Sequence, residues 1–287
     1  MIRLLNSGAG LKAMLATKHT ALAVSLAAKA VKALMEEALL TPKPGLVDAR
    51  DNGSHSDMSI DLMLGSARSL ENTFREIANV SYQHPVNQTL REKIAQIGRD
   101  GEKVMLRTTN GVNTHKGAIW ALGLLVSARA ALPEERDPLQ IMSIAGRIAS
   151  FHDRYRPVQQ TNGQSVKKRY AVMGAEEEAR LGFPHIRDNA LPTLLHARAC
   201  GKTEEEARIE ALLALMASVD DTCILHRGRW SDLITIKRMS GAFLAADGFR
   251  TQSGRKLFYR LSEHCKFRRL SPGGSADLLA ATLFLID

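Results

Sequence analysis

Four stretches of this sequence concentrate residues able to do chemistry. Thr41 to Asp57, TPKPGLVDARDNGSHSD, crowds Asp48, Asp51, His55 and Asp57 beside Lys43, more charge than a core absorbs readily. Pro42 and Pro44 push Thr41 and Lys43 away from helix, so Lys43 is expected on a stiff segment that presents it rather than packs it. Gly45 and Gly53 permit close backbone approach. The alternative is a solvated loop with Asp57 capping the helix that follows. A second stretch sets Asp220 and Asp221 directly after an apolar run, with His226 and Arg227 close behind. Acids at a helix C-terminus oppose its dipole, so they point to a ligand or general-base cluster. In the third, Asn113 or Thr114 opens an apolar helix and His115 and Lys116 fall in its first turn, where cations work against the dipole unless an anion is present. An exposed first turn is the bland alternative. The fourth, SPGGSAD, turns at Pro272, Gly273 and Gly274 and starts a helix at Ser275 with Asp277 in its first turn; its backbone N–H groups suit phosphate, and a plain capped helix explains the same pattern.

The elements that must hold these stretches read as helices. Apolar residues recur at three- and four-residue spacing from about Lys18 to Leu40, and again from Ile60 to Phe74, where Asp57 and Asp61 would lie one turn apart, sharing a cation or merely solvated. Further helices are expected over about 90–106, 118–132, 139–152, 190–199 and 204–219, with a mainly helical, basic region from Trp230 to Phe267. Ala118 to Leu132 is almost wholly apolar and must be central. TNGQSVKKRY from Thr161 is expected as a turn and an ordinary basic loop, and Pro184 as the end of the piece carrying Glu176, Glu177 and Glu178. No alternating strand pattern, no internal repeat and no phosphate-loop motif is present. The expected architecture is all-α: a single multi-helix globular domain over 1–287, with a central apolar helix, no β-sheet of consequence, and residues 1–18 as a flexible extension.

Composition narrows the function classes. The 287 residues carry 39 Lys+Arg against 30 Asp+Glu, a net +9, which favours anionic partners. Aromatics are only 5% and no long basic block appears, which argues against a nucleic-acid groove. Cys200, Cys223 and Cys265 are far apart, so neither a disulfide framework nor a structural zinc site is suggested, and a reducing cytoplasm fits. Lys12, Lys18, His19, Lys29 and Lys32 interrupt the apolar N-terminal run, which therefore neither spans a membrane nor forms a clean signal peptide.

Taken together, TPKPGLVD (41–48), NGSHSDM (52–58), GVNTHKGAI (111–119), GFP (182–184), DDT with HRG (220–228) and SPGGSADLL (271–279) resemble the triphosphoribosyl-dephospho-CoA synthase family, in the family's order and from about residue 20 to the C-terminus. The resemblance implies a transferase that joins the triphosphoribosyl group of ATP to the ribose 2′-hydroxyl of 3′-dephospho-CoA and releases adenine. The product is the prosthetic-group precursor of malonate decarboxylase or citrate lyase, and an enzyme that loads the acyl carrier protein receives it. The DDTCILHRG wording and the chain length are closer to the malonate decarboxylase branch. The implied chemistry passes through an oxocarbenium-like transition state, for which carboxylates and a proton donor are needed. Asp48, Asp57, Asp221 and Glu178 are the implied catalytic acids. Lys43, His55, Asn113, His115, Lys116, Arg227, Ser271, Gly273, Gly274 and Ser275 are the implied substrate contacts. Asp57, Asp220 and Asp221 are the implied ligands of a Mg²⁺ accompanying ATP.

Two departures stand out. Where the family usually reads GARGEA this chain has GAEEEA from Gly174 to Ala179, and Arg229 follows Arg227 and Gly228 where RGG is usual. Loss of a cation beside a triphosphate predicts weaker binding unless Arg180 or Arg229 restores it. A family member with altered or lost activity, and a basic helical nucleic-acid-binding protein, are the rival readings.

Overall fold

The structure, a computed structural model, describes the backbone of residues 6–157 and 161–287, and the side chains of these from residue 17 onward. Among the described residues every regular element is helical and no strand occurs. Helix α1 (Asn6–Leu39) begins well before the expected Lys18, inside the stretch assigned to an extension; residues 1–5 of that extension lie outside the described residues. The run expected as one helix from Ile60 divides into α2 (Ile60–Ser69) and α3 (Glu71–Ser81), which meet at the fully buried Leu70. Ser59 caps α2 by accepting the Leu62 N–H. Asp57 therefore lies outside the helix, is not its cap, and does not share a helical face with Asp61.

Next come α4 (Gln88–Thr108), α5 (Lys116–Ala131) and α6 (Pro138–Ser150). The polar stretch expected as a loop is instead α7 (Asn162–Tyr170), because Thr161 and Gln164 cap each other's backbone N–H groups. After α8 (Ala175–Arg180) the chain turns at Gly182 and Phe183, and Pro184 opens the following run instead of ending the preceding one. That run passes through a π-helical turn, Ile186–Ala190, into α9 (Leu191–Ala199). The remainder is α10 (Glu204–Ser218), α11 (Thr222–Arg227), α12 (Trp230–Ala245), α13 (Gln252–Arg268) and α14 (Gly273–Ile286). The cap of α14 is Pro272, three residues before the expected Ser275, so Ser275 lies within the first turn and Asp277 just beyond it.

Two apolar helices organise the rest. Nearly every residue of α5 from Ala118 to Ala131, and of α14 from Ser275 to Leu285, is buried. They pack on each other, and α1 lies against both. Helices α3, α4, α6 and α8 complete the surroundings of α5, while α10 flanks α14 and carries α9 and α12 on its other sides. Helix α10 is buried on most of its circumference, so its apolar surface is wider than the stripe of Leu212, Leu213, Leu215 and Met216 alone. No helix of the described residues is long and apolar enough to cross a membrane. Leu279, fully buried on α14, tests this centrality: Leu279→Ala is expected to lower unfolding free energy by about 2–5 kcal/mol, measured by urea titration.

Candidate active site

The two central helices point their N-terminal ends at one cleft of about 650 Å³ counting its open mouth. Gly117 of α5 and Gly274, Asp277 and Leu278 of α14 form its floor. Trp120, Met173, Gly174, Ala175 and Glu178 form one wall, and His185 and Val219 to Thr222 complete it. Of the residues expected from sequence to act on substrate or metal, the cleft gathers Glu178, Asp220, Asp221 and Gly274. It also takes in three that sequence reasoning did not select: Trp120, His185 and Asp277.

Asp221 is almost completely buried. Its Oδ1 accepts the N–H groups of Cys223 and Gly274, at 2.9 and 3.3 Å, and its Oδ2 accepts the N–H and hydroxyl of Ser275, at 2.8 and 3.0 Å. The acid that sequence places at the unfavourable end of α10 is thus the N-cap of α11 and also sits on the N-terminus of α14, where negative charge is favoured. Four donors fill the lone-pair positions of one carboxylate, so Asp221 is a structural anchor with no oxygen left for a metal. Burial still pushes its carboxyl above the ordinary range, against the pull of those hydrogen bonds. Asp220 pairs with Lys237 of α12 at 2.6 Å, and neither acid pairs with His226 or Arg227.

Asp277 is in a different state. It faces the cleft and is partly open to it, and among the described residues only the backbone N–H of Ala118 acts on it as a donor. Burial drives its carboxyl well above the usual range, and Glu37 and Asp221 push in the same direction. Gly117 packs so tightly against it that a Cβ there would fall 2.0 Å from Oδ2.

Across the cleft, His185 Nδ1 lies 2.6 Å from Glu178 Oε2, and the His185 N–H donates to Glu178 Oε1 at 3.0 Å. A carboxylate only accepts, so Nδ1 carries the proton here and Nε2 is left as an acceptor. The chain reaches this position through two left-handed residues, Gly182 at φ +72° and the buried Phe183 at φ +55°. A non-glycine residue is held there only where its surroundings demand it. Trp120 Nε1 donates to the Ala175 carbonyl at 3.0 Å, and the Arg91 guanidinium lies 5.0 Å from its ring centroid.

The remaining expected site residues lie elsewhere, each for a visible reason. Lys43 is buried, its ammonium bonded to the Glu37 carbonyl at 2.5 Å and to Glu37 Oε1 at 2.7 Å. The proline-framed segment packs the lysine inward instead of presenting it. Asp48 accepts the N–H groups of Lys43, Arg50 and Asp51 at 2.9, 2.8 and 3.1 Å; it ties the loop and does not line the cleft. His115 is the N-terminal cap residue of α5 and is buried, with Nδ1 2.8 Å from the Ser66 hydroxyl. Its environment and the charge of Lys43 depress it to about 4, so it is neutral in the fold. Lys116 pairs with Glu102 at 2.5 Å, while Asn113 accepts the Lys116 N–H in place of a cap.

A separate knot joins the loop to the α14 turn. His55 Nε2 is 2.8 Å from the Ser271 hydroxyl, and Arg227 lies 3.1 Å from His55 Nδ1 and donates to the Ser54 carbonyl at 3.3 Å. Asp57, mostly exposed, stands 3.5 Å from His55 Nδ1. Gly273 packs against Cys223, and Ser275 is consumed by Asp221. The expected Mg²⁺ trio of Asp57, Asp220 and Asp221 therefore does not converge, and no group of three metal-ligating side chains does so among the described residues. The two extra acids of GAEEEA are neutralised on the spot, Glu176 by Arg156 at 2.8 Å and Glu177 by Lys167.

Lys43 and His115 give the first two tests of this arrangement. Lys43→Ala leaves the Glu37 carboxylate buried and unpaired, and is expected to destabilise the fold by about 3–5 kcal/mol in a denaturant titration. His115, neutral when folded and protonated below about pH 6.5 when unfolded, contributes stability that is lost as pH falls from 6.5 towards 4, about 3 kcal/mol in all. A His115→Gln variant is expected to lack that part of the pH slope.

Comparison with known proteins bears on this cleft. Residues 23–287 match the family model described as CitG: ATP:dephospho-CoA triphosphoribosyl transferase. The chain is 48% identical, over 92% of its own length and 91% of the relative's, to a probable 2-(5''-triphosphoribosyl)-3'-dephosphocoenzyme-A synthase of Pseudomonas syringae pv. syringae. It is 47% identical to the probable synthase of Pseudomonas aeruginosa strain UCBPP-PA14, over 94% of this chain and 92% of that protein. A 2-(5''-triphosphoribosyl)-3'-dephosphocoenzyme-A synthase of Klebsiella pneumoniae is 46% identical over 91% and 93% of the two chains. No solved structure matches.

Proposed function

The chain belongs to the family of ATP:dephospho-CoA triphosphoribosyl transferases, and from that premise we propose that the cleft at the N-termini of α5 and α14 is where it carries out the reaction. The enzyme is a 2-(5''-triphosphoribosyl)-3'-dephospho-CoA synthase, taking ATP and 3′-dephospho-CoA as substrates and releasing adenine. The observation that carries the placement is the pairing, in one cleft, of a cavity-facing aromatic ring with carboxyl and imidazole groups.

The reaction needs a surface for the purine, a base for the attacking hydroxyl and electrostatic relief of a cationic sugar. Trp120 is the aromatic face available to adenine. Glu178 works through His185: it fixes the proton on Nδ1, and Nε2 accepts the proton of the ribose 2′-hydroxyl as that oxygen attacks C1′. Asp221 holds α11 and α14 in place. Backbone N–H groups already taken by a carboxylate are closed to phosphate, so the triphosphate is not held at the Asp221 end of α14; Lys237, paired with the cleft residue Asp220, is the cation nearest to hand for it.

Magnesium is proposed to enter with ATP as its counterion; among the described residues no three metal-ligating side chains converge. We place the product in the malonate decarboxylase branch, on the wording of residues 220–228, and expect an acyl-carrier-loading enzyme to receive it. A cytoplasmic location is the reading that these substrates and the three free cysteines support.

Incubation with ATP, Mg²⁺ and dephospho-CoA is expected to yield adenine and a triphosphoribosylated product in equal amounts, without ADP. Trp120→Ala is expected to raise the KM for ATP by about 5- to 150-fold, the range of one lost base stack of about 1–3 kcal/mol, with a smaller effect on dephospho-CoA. An unchanged ATP KM in that variant moves adenine to another wall.

A further inference from the structure

We propose that Asp277 is the catalytic proton donor to the departing adenine. The inference rests on the cleft being the ATP site, and it assigns the part of the reaction that the His185–Glu178 pair leaves open. Adenine leaves an N-glycosidic bond poorly as an anion, so the cleft must hold a donor able to reach the purine as the bond to C1′ breaks.

The acids in and around the cleft can be taken one at a time. Asp221 has both oxygens occupied by four donors. Asp220 is held by Lys237, Glu178 by His185, and Glu37 by Lys43. Asp277 alone among these faces the cleft with no cation beside it and only the Ala118 N–H directed at it. The charged groups around it are Glu37 from α1 and Asp221 from the start of α11, with Lys43 engaged by Glu37. Burial first, and then the two neighbouring acids, favour the protonated form, and a carboxylic acid that keeps its proton is a donor.

Gly117 supplies the second observation. Its missing side chain leaves the space that Asp277 Oδ2 fills; any Cβ would overlap it at 2.0 Å. Helix α5 is therefore opened at one residue to let this carboxyl stand at the cleft surface on the helix's own N-terminal turn, close to the level of Trp120 one turn further along.

The step balances without another reactant. The electron pair of the N9–C1′ bond moves to the purine, which takes the Asp277 proton and leaves as neutral adenine. The dephospho-CoA 2′-hydroxyl oxygen forms the new bond to C1′, and its proton passes to His185 Nε2. Solvent then carries that proton from the imidazolium to the Asp277 carboxylate, restoring both groups.

Asp277→Asn keeps an oxygen for the Ala118 N–H and removes only the donated proton. Adenine release in a single turnover is expected to fall a hundredfold or more, with ATP affinity by calorimetry and the melting temperature close to the parent's. Gly117→Ala keeps every titrating group but crowds the carboxyl, and is expected to slow release at least tenfold at retained ATP affinity. Release within threefold of the parent in either variant overturns the proposal, as does a loss of ATP affinity in step with the loss of release in Asp277→Asn. Failure of the unmutated enzyme to release adenine would instead remove the placement of ATP on which the inference stands.

Discussion

One buried carboxylate sets the geometry on which the cleft depends. Asp221 accepts hydrogen bonds from the first turn of α11 and the first turn of α14 at once, so the two helices cannot separate without stranding a buried charge, whose desolvation costs several kcal/mol. Helix α14 in turn packs on α5, α1 and α10. The floor of the cleft, from Gly274 to Leu278, is thereby held to the bundle at its most crowded point. Helix N-termini commonly bind anions; here a side chain of the protein has taken that place, and the residues lining the cleft are arranged around it.

A second internal pair, Lys43 with Glu37, anchors the loop that wraps this end of the bundle. Asp48 closes the same loop on its own backbone, and the His55, Ser271 and Arg227 knot fastens it to the turn before α14. Most of the polar residues in Thr41 to Asp57 thus act on backbone groups. Their density reflects a long irregular segment that crosses buried surface and needs its peptide groups satisfied. The cleft proposed for the reaction lies between helices, where positions are more rigid than in loops.

How far the sequence disclosed this differs by level. The all-helical class and the central place of α5 followed from apolar periodicity and turn residues, which are local signals. Helix limits at Asn6, Leu70 and Gly273 did not, since tertiary packing decided them. Lys43, Asp48 and Asp221 looked like site residues because composition marks charge but not its partners. Each partner, Glu37, the loop backbone and Ser275, is known only once the chain has folded. Asp277 was visible only as a first-turn acid, which on its own reads as a favourable helix start. His185 follows GFP directly, but its pairing with Glu178 depends on a left-handed turn that no side-chain pattern announces. The double glutamate at 176 and 177 likewise seemed a deficit of positive charge until Arg156 and Lys167 were found beside it.

The π-helical turn at Ile186–Ala190 ties the His185–Glu178 pairing to chain length. Such a turn holds more residues than an α-helical one, and an α-helix advances about 100° per residue. The deletion of a single residue between Ile186 and Ala190 would remove the extra residue of that turn and rotate what precedes it relative to α9. His185 would then be swung by about a quarter of a circle away from Glu178. The number of residues in that turn, more than their identity, therefore sets where His185 stands relative to Glu178.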